Sequence, residues 1–116
     1  HIPQPKDNKI TKERVELGKL LYFDVRLSRD ESISCAFCHN PKRGWSDLTP
    51  TARAVGFKGR VGPRNSPTIL NSAYQLTQFW DGRAKSLEEQ ALGPIQTNVE
   101  MNMPLEPLLE KLNKVK

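Results

Sequence analysis

The stretch Cys35-Ala36-Phe37-Cys38-His39 has residue types and spacing that carry chemistry of their own. Two thiols on one short helical segment, with an imidazole next in line, form the attachment pattern of a c-type haem. The thiols add across the vinyl groups of one porphyrin, and the histidine reaches the iron. A zinc knuckle needs a fourth ligand, and the only other imidazole is His1. A redox dithiol shares the Cys-x-x-Cys spacing but belongs beside a βαβ pattern, which these residues lack. The pattern predicts one covalently attached haem c with His39 as proximal iron ligand. The other ring N–H of His39 should donate to a backbone carbonyl or a nearby oxygen, which sets the tautomer. Covalent attachment of haem is an export-compartment process, so the expected location is the periplasm, with the signal peptide absent from this chain.

The far side of the iron decides what such a centre does. Candidates for a sixth ligand are Met101, Met103 and Lys58, or no protein ligand at all. A thioether some sixty residues beyond the histidine makes a small electron-transfer cytochrome. An open position beside a carboxylate binds a small oxidant and cleaves it. Glu100 stands directly before Met101, so spacing leaves both readings open. Each residue also has an ordinary role available, Met101 as a core side chain and Glu100 as a surface one.

The elements that must hold these residues read as short helices joined by long loops. Residues 1–10 form an extended arm. Thr11 is an N-cap, and Val15, Leu17, Leu20, Leu21 and Phe23 recur at mostly helical spacing. Gly18 interrupts that run at a propensity cost of ~1 kcal/mol, which suggests close packing on its backbone. Asp24 to Ser32 is a polar loop, and Ser34 can cap the cysteine-bearing helix. Asn40 to Pro67 holds four of the nine prolines and four of the seven glycines, with only Trp45, Leu48, Val55, Phe57 and Val61 as scattered apolar residues. So long a stretch without a periodic core pattern is usually functional or disordered, and here a cofactor would stand in for the missing side-chain core. Ile69, Leu70, Ala73 and Tyr74 make a brief helical stripe, followed by an aromatic turn at Phe79 to Arg83. Ser86-Leu87-Glu88-Glu89 has capping-box form, and Gly93-Pro94 should end that helix. Pro104 opens a last helix whose apolar face is Leu105, Leu108, Leu109, Leu112 and Val115. The result is an all-α expectation, with no strand pattern.

Composition narrows the class. With 116 residues and 36% hydrophobic content the chain holds one thin core, and no apolar run approaches the ~20 residues of a membrane span. A net charge of +5 suits acidic partners, but the basic residues are scattered and lack zinc-finger spacing or regular aromatic interleaving, so nucleic acid is not an expected partner.

Several motifs in fixed order then carry a resemblance. Leu17-Gly18-Lys19-Leu20-Leu21-Tyr22-Phe23-Asp24, Ser34 to Asn40, Gly62-Pro63-Arg64-Asn65-Ser66-Pro67-Thr68, Gln78 to Ala84, Leu87-Glu88-Glu89-Gln90-Ala91, Gly93-Pro94-Ile95 and Val99-Glu100-Met101 are similar to the N-terminal haem domain of the bacterial dihaem cytochrome c peroxidase family. That family also contains the methylamine dehydrogenase maturation enzyme. The resemblance implies a cytochrome c-like domain over residues 11–116, cut from a two-domain dihaem protein whose second Cys-x-x-Cys-His is missing here. It implies reduction of hydrogen peroxide to water at this haem, with electrons from the second haem domain and from a small cytochrome or copper protein. Glu100 is then the acid–base group, Gln90 lines the distal pocket near Pro94, and Trp80 lies between the haems. Asn65 contributes to an interdomain calcium site, so calcium is expected only in a full-length protein. Alternatives are a monohaem electron carrier with Met101 or Met103 on the iron, or a maturation-type oxidase acting on a partner protein. One departure stands out. Where many members place an iron-binding histidine in the glycine-rich loop, this chain has Phe57, which cannot ligate; either no such ligand is needed or a neighbour substitutes, and Lys58, the only nearby alternative, reads better as a surface lysine.

Overall fold

A computed structural model describes residues 1–47 and 53–115; Leu48 and Lys116 lie outside them. The fold is all-α, as expected. Helices α1 (Lys12–Phe23), α2 (Cys35–Cys38), α3 (Leu87–Gln96) and α4 (Leu105–Asn113) are joined by loops that contain single 3₁₀ turns. Among the described residues no strand forms; isolated antiparallel bridges at Asn40–Ser46, Val55–Val61 and Gln78–Ala84 pinch loops closed.

Thr11 caps α1 by accepting the Arg14 N–H at 3.3 Å. The apolar residues of α1 do not share one face: at helical periodicity Val15 and Leu17 point to nearly opposite sides. Accordingly α1 buries none of its residues, and Val15, Leu17, Leu20 and Phe23 are 54, 56, 70 and 49% exposed. Only Leu21 and Tyr22 are half-buried, on a helix that packs against α2. Gly18 is not a close-packing site, because a Cβ there would meet nothing within 4 Å.

The core takes its buried residues from outside α1 and α2. Leu27, Ile33, Phe57, Met101, Met103 and Leu108 form it, with Leu21, Phe37, Ile95, Leu105 and Leu112 packed around them. These come from loops as much as helices, and backbone hydrogen bonds stitch the loops together. Arg29 N–H donates to Met101 O (3.0 Å), Phe57 N–H to Glu100 O (2.7 Å) and Met103 N–H to Ile95 O (2.7 Å). The loop after α1 is more than polar: Ser28, fully buried, donates to Val25 O at 2.9 Å and accepts the Ile33 N–H at 3.0 Å. Lys111 of α4 closes the same loop, donating to Arg26 O (3.0 Å) and Ser28 O (3.3 Å) and pairing with Glu31 (3.2 Å). Of the α4 face, Leu108 is buried and Leu109 is 61% exposed.

Three other expectations are corrected. Gly93-Pro94 does not end α3, which runs two residues further, to Gln96. Pro94 lacks the N–H that would reach Gln90 O, so one intrahelical hydrogen bond is missing, yet the helix still closes normally at its end. Thr97 N–H reaches Gly93 O (3.0 Å), while Met101 N–H takes Pro94 O (3.1 Å). The stripe at Ile69–Tyr74 is only a single 3₁₀ turn, Ser72–Tyr74, with Leu70 and Tyr74 exposed. Ser34 occupies the N-cap position of α2 but makes no capping hydrogen bond through its side chain.

Candidate functional site

Helix α2 is one turn long and carries both thiols, with His39 as its C-cap. Cys35 and Cys38 are free and half-buried. Burial pushes both thiols up, Cys38 to about 11, where the negative charges of Asp47 and Glu100 add to the effect and a hydrogen bond with Ser66 opposes it. Redox-active dithiols have depressed values that favour the thiolate, so this environment argues against the dithiol reading.

His39 is held at two points. Its Nδ1 lies 2.8 Å from the Pro67 carbonyl. A carbonyl only accepts, so Nδ1 carries the proton and Nε2 keeps the lone pair a metal needs. Its own backbone carbonyl, at the end of a helix too short to use it, accepts the Tyr22 O–H at 2.6 Å. Tyr22 packs edge-on against Trp45 with ring centroids 5.8 Å apart. Burial lowers the His39 pKa, which favours the neutral, ligating form. Two thiols on one turn with an adjacent imidazole locked in the ligating tautomer fit a covalently attached haem. Cys35, Cys38 and His39 are the residues that could hold it.

Glu100 is one of two carboxylates, with Asp47, whose negative charge acts on Cys38. Burial raises its pKa above the ordinary carboxylate value, while a hydrogen bond with Thr97 and the Arg83 guanidinium pull the other way. The segment carrying it is pinned by the glycine-rich loop. Gly56 sits so close that a Cβ would overlap Val99 O and stand 2.7 Å from Glu100 Cα. Phe57 donates its N–H to Glu100 O, and Arg60 donates to Asn98 O at 3.0 Å. The Phe57 side chain lies in the core, 5% exposed, while exposed Lys58 reaches over its ring with Nζ 5.4 Å from the centroid.

Gln90 and Pro94 stand one turn apart on α3, both half-buried, and Pro94 O accepts the N–H of Met101, the residue after Glu100. Trp80 and Asn65 come together elsewhere: the indole N–H donates to Asn65 O at 2.9 Å, and Asp81 bridges Arg64 and Arg83 at 2.8 and 3.0 Å. The Trp80 ring is 63% exposed. Among the described residues, no three His, Cys, Asp or Glu side chains cluster as metal ligands. Met101 and Met103 are both buried in the apolar core, 4% and 7% exposed.

Sequence reading singled out neither Tyr22 nor the Pro67 carbonyl as a site group. Both lie inside motifs that were legible, but a hydroxyl aimed at a backbone carbonyl and a carbonyl aimed at a ring leave no mark on residue spacing.

Residues 12–116 match the family model described as di-haem cytochrome c peroxidase. The chain is 53% identical over 115 residues to a protein named methylamine utilization protein MauG from Methylorubrum extorquens, covering 98% of this chain and 32% of that protein. It is 54% identical over 93 residues to cytochrome c551 peroxidase from Pseudomonas aeruginosa, covering 80% of this chain and 26% of that one. The crystal structure of the diheme peroxidase BthA from Burkholderia thailandensis superposes with a TM-score of 0.83 at 31% identity, covering 92% of this chain and 31% of that one. The chain thus spans about a third or less of the length of the relatives it matches. With the haem-attachment motif, the all-α fold and the family match over nearly its whole length, this chain belongs to the di-haem cytochrome c peroxidase family.

Proposed function

We propose that this chain is the haem domain at which hydrogen peroxide is reduced to water, with electrons arriving from a second haem domain supplied by a small cytochrome or copper protein. The observation that carries the reading is a half-buried carboxylate, Glu100, whose backbone the glycine-rich loop pins and whose charge acts on Cys38 of the cysteine helix. When bound, the haem supplies the redox chemistry of O–O cleavage. Cys35 and Cys38 would anchor it, and His39 would ligate the iron through Nε2, the nitrogen left free by the Nδ1 bond to Pro67 O. Glu100, as carboxylate, accepts a proton from one peroxide oxygen and returns it to the other, which leaves as water. Its raised pKa makes it a stronger base than an exposed carboxylate and a better proton store. Gln90 holds the peroxide by amide hydrogen bonds, and Pro94 narrows the same wall. Trp80 stands at the electron-entry side, beside Asn65, whose calcium site is completed by oxygens from the rest of the protein. The overall change consumes two electrons and two protons per peroxide and yields two waters.

Burial of Met101 and Met103 among Leu27, Ile33, Phe57 and Leu108 supports the peroxidase over the electron carrier. Phe57 in the core supports a resting iron with no histidine to release. Attachment of haem outside the cytoplasm supports a periplasmic location, and among the described residues no helix is long and apolar enough to cross a membrane. A second reading, oxidation of a partner protein, rests on identity to the methylamine-utilization relative that nearly equals the identity to a peroxidase, 53% against 54%.

Rapid mixing of the haem-loaded ferric protein with hydrogen peroxide tests the proposal. Glu100→Gln should slow the reaction by about 10²–10⁴-fold with haem loading intact. A low-spin ferric spectrum whose sulfur-to-iron band disappears in Met101→Ala would make the chain an electron carrier. Peroxide consumption without turnover of any small electron-donor protein favours the partner-protein reading.

A further inference from the structure

We propose that Ser46 and Thr68 are positioning residues for His39: their hydroxyls hold the Pro67 carbonyl against the imidazole and so tune the iron's ligand. The inference rests on the reading of His39 as that ligand. Pro67 has no N–H with which to anchor itself, and its ring restricts Ser66 to extended backbone. Its place is therefore decided by its neighbours. On one side, Ser46 Oγ donates to the Ser66 carbonyl at 2.9 Å. On the other, Thr68 Oγ1 donates to the Gly44 carbonyl at 2.6 Å, and Ile69 N–H donates to Trp45 O at 3.2 Å.

The far ends of these bonds all lie in the turn at residues 44–46. That turn is closed onto Asn40, the residue after His39, through Asn40 N–H to Ser46 O (2.7 Å) and Trp45 N–H to Asn40 O (2.8 Å). A circuit results. It runs from His39 through Asn40 to the 44–46 turn, across the two hydroxyl bonds to residues 66 and 68, and back from Pro67 O to His39 Nδ1 at 2.8 Å. The two hydroxyls are the side-chain links of the circuit, one on each side of the carbonyl.

The chemistry follows from the direction of the last bond. A short Nδ1–H···O bond gives the imidazole partial imidazolate character, which makes Nε2 a stronger donor and favours the ferric state. Slackening the circuit lengthens that bond and favours the ferrous state. Thr68 is exposed, so loss of its hydroxyl should disturb stability little while still moving the ligand.

Spectroelectrochemical titration of the haem-loaded protein tests this with Thr68→Val and Ser46→Ala, alongside the conservative Thr68→Ser and Ser46→Thr. Each deletion should raise the ferrous/ferric ratio at fixed solution potential, by up to about tenfold, the low end of what loss of an outer hydrogen-bond partner costs at metal sites. Tenfold is about 59 mV for one electron. The conservative variants should return to the parent value. Deletions that leave the ratio unchanged, or conservative variants that shift it as far as the deletions, overturn the proposal. If Thr68→Val does not load haem, the Ser46 pair decides alone. A His39→Met variant with an unchanged haem spectrum would instead overturn the ligand reading itself.

Discussion

Replacing Gly56 by Ala adds one methyl group where the structure has no room for it. The added Cβ would overlap Val99 O and stand 2.7 Å from Glu100 Cα and 2.8 Å from Glu100 O. All three neighbours are backbone, so no side-chain rotamer can relieve the contact. Overpacking of this kind costs about 1–3 kcal/mol. The loop must also draw back, which weakens the Phe57 N–H bond to Glu100 O, now 2.7 Å, for about 0.5–1.5 kcal/mol more. The sum, about 1.5–4.5 kcal/mol, is a large share of a typical domain stability of about 5–15 kcal/mol. Because the displaced backbone belongs to Glu100, its carboxylate moves as well, and a displacement near 1 Å costs about 10²-fold in rate. Urea unfolding of the haem-loaded variant and its single-turnover reaction with peroxide read the two effects. Both should fall together. Parent-like stability and rate in Gly56→Ala would refute the reasoning that the glycine loop positions Glu100.

Lys111→Met keeps the aliphatic stem but removes the donor to Arg26 O and Ser28 O and the partner of Glu31. It should lower stability by about 1–2 kcal/mol in urea unfolding, with haem loading unchanged. Ionisation of Glu100 should destabilise the fold, because its raised pKa means the native state holds the proton more tightly than the unfolded chain does. Stability contributed by the protonated form is present below the ordinary carboxylate value of 4.5 and is lost as pH rises through the folded value. Glu100→Gln should therefore melt higher than the parent at pH 7 and converge with it near pH 4, checked by calorimetry at both pH values. Cys35→Ala with Cys38→Ala should leave a poorly dispersed NMR spectrum, since loops supply so much of this core. A well-dispersed haem-free spectrum would show that the core stands without the cofactor.

Much of this protein is legible in its sequence. Cys35, Cys38 and His39 announce themselves, because haem attachment demands adjacent residues, and adjacency is what a sequence records directly. The capped helices beginning after Thr11 and Ser86 were legible for a similar reason, as each depends on residues within one turn. The last helix announced itself by its periodicity.

Tertiary structure decided what depends on distance through space. The apolar residues of α1 read as core, yet they point to several sides of a helix that meets its neighbour along only part of its surface. Pro94 read as a stop signal, but α3 continues to Gln96, where Thr97 N–H closes on Gly93 O and Met101 N–H, from the following loop, takes Pro94 O. Met101 and Glu100 could not be assigned from spacing, because adjacent residues on an irregular segment meet different surroundings, Met101 buried in an apolar core and Glu100 only half-buried. The carbonyl of Pro67 and the hydroxyl of Tyr22 converge on His39 from positions 28 and 17 residues away. A sequence states which groups exist. Only the closed chain fixes which donor meets which acceptor, since a hydrogen bond is made or lost over a few tenths of an ångström.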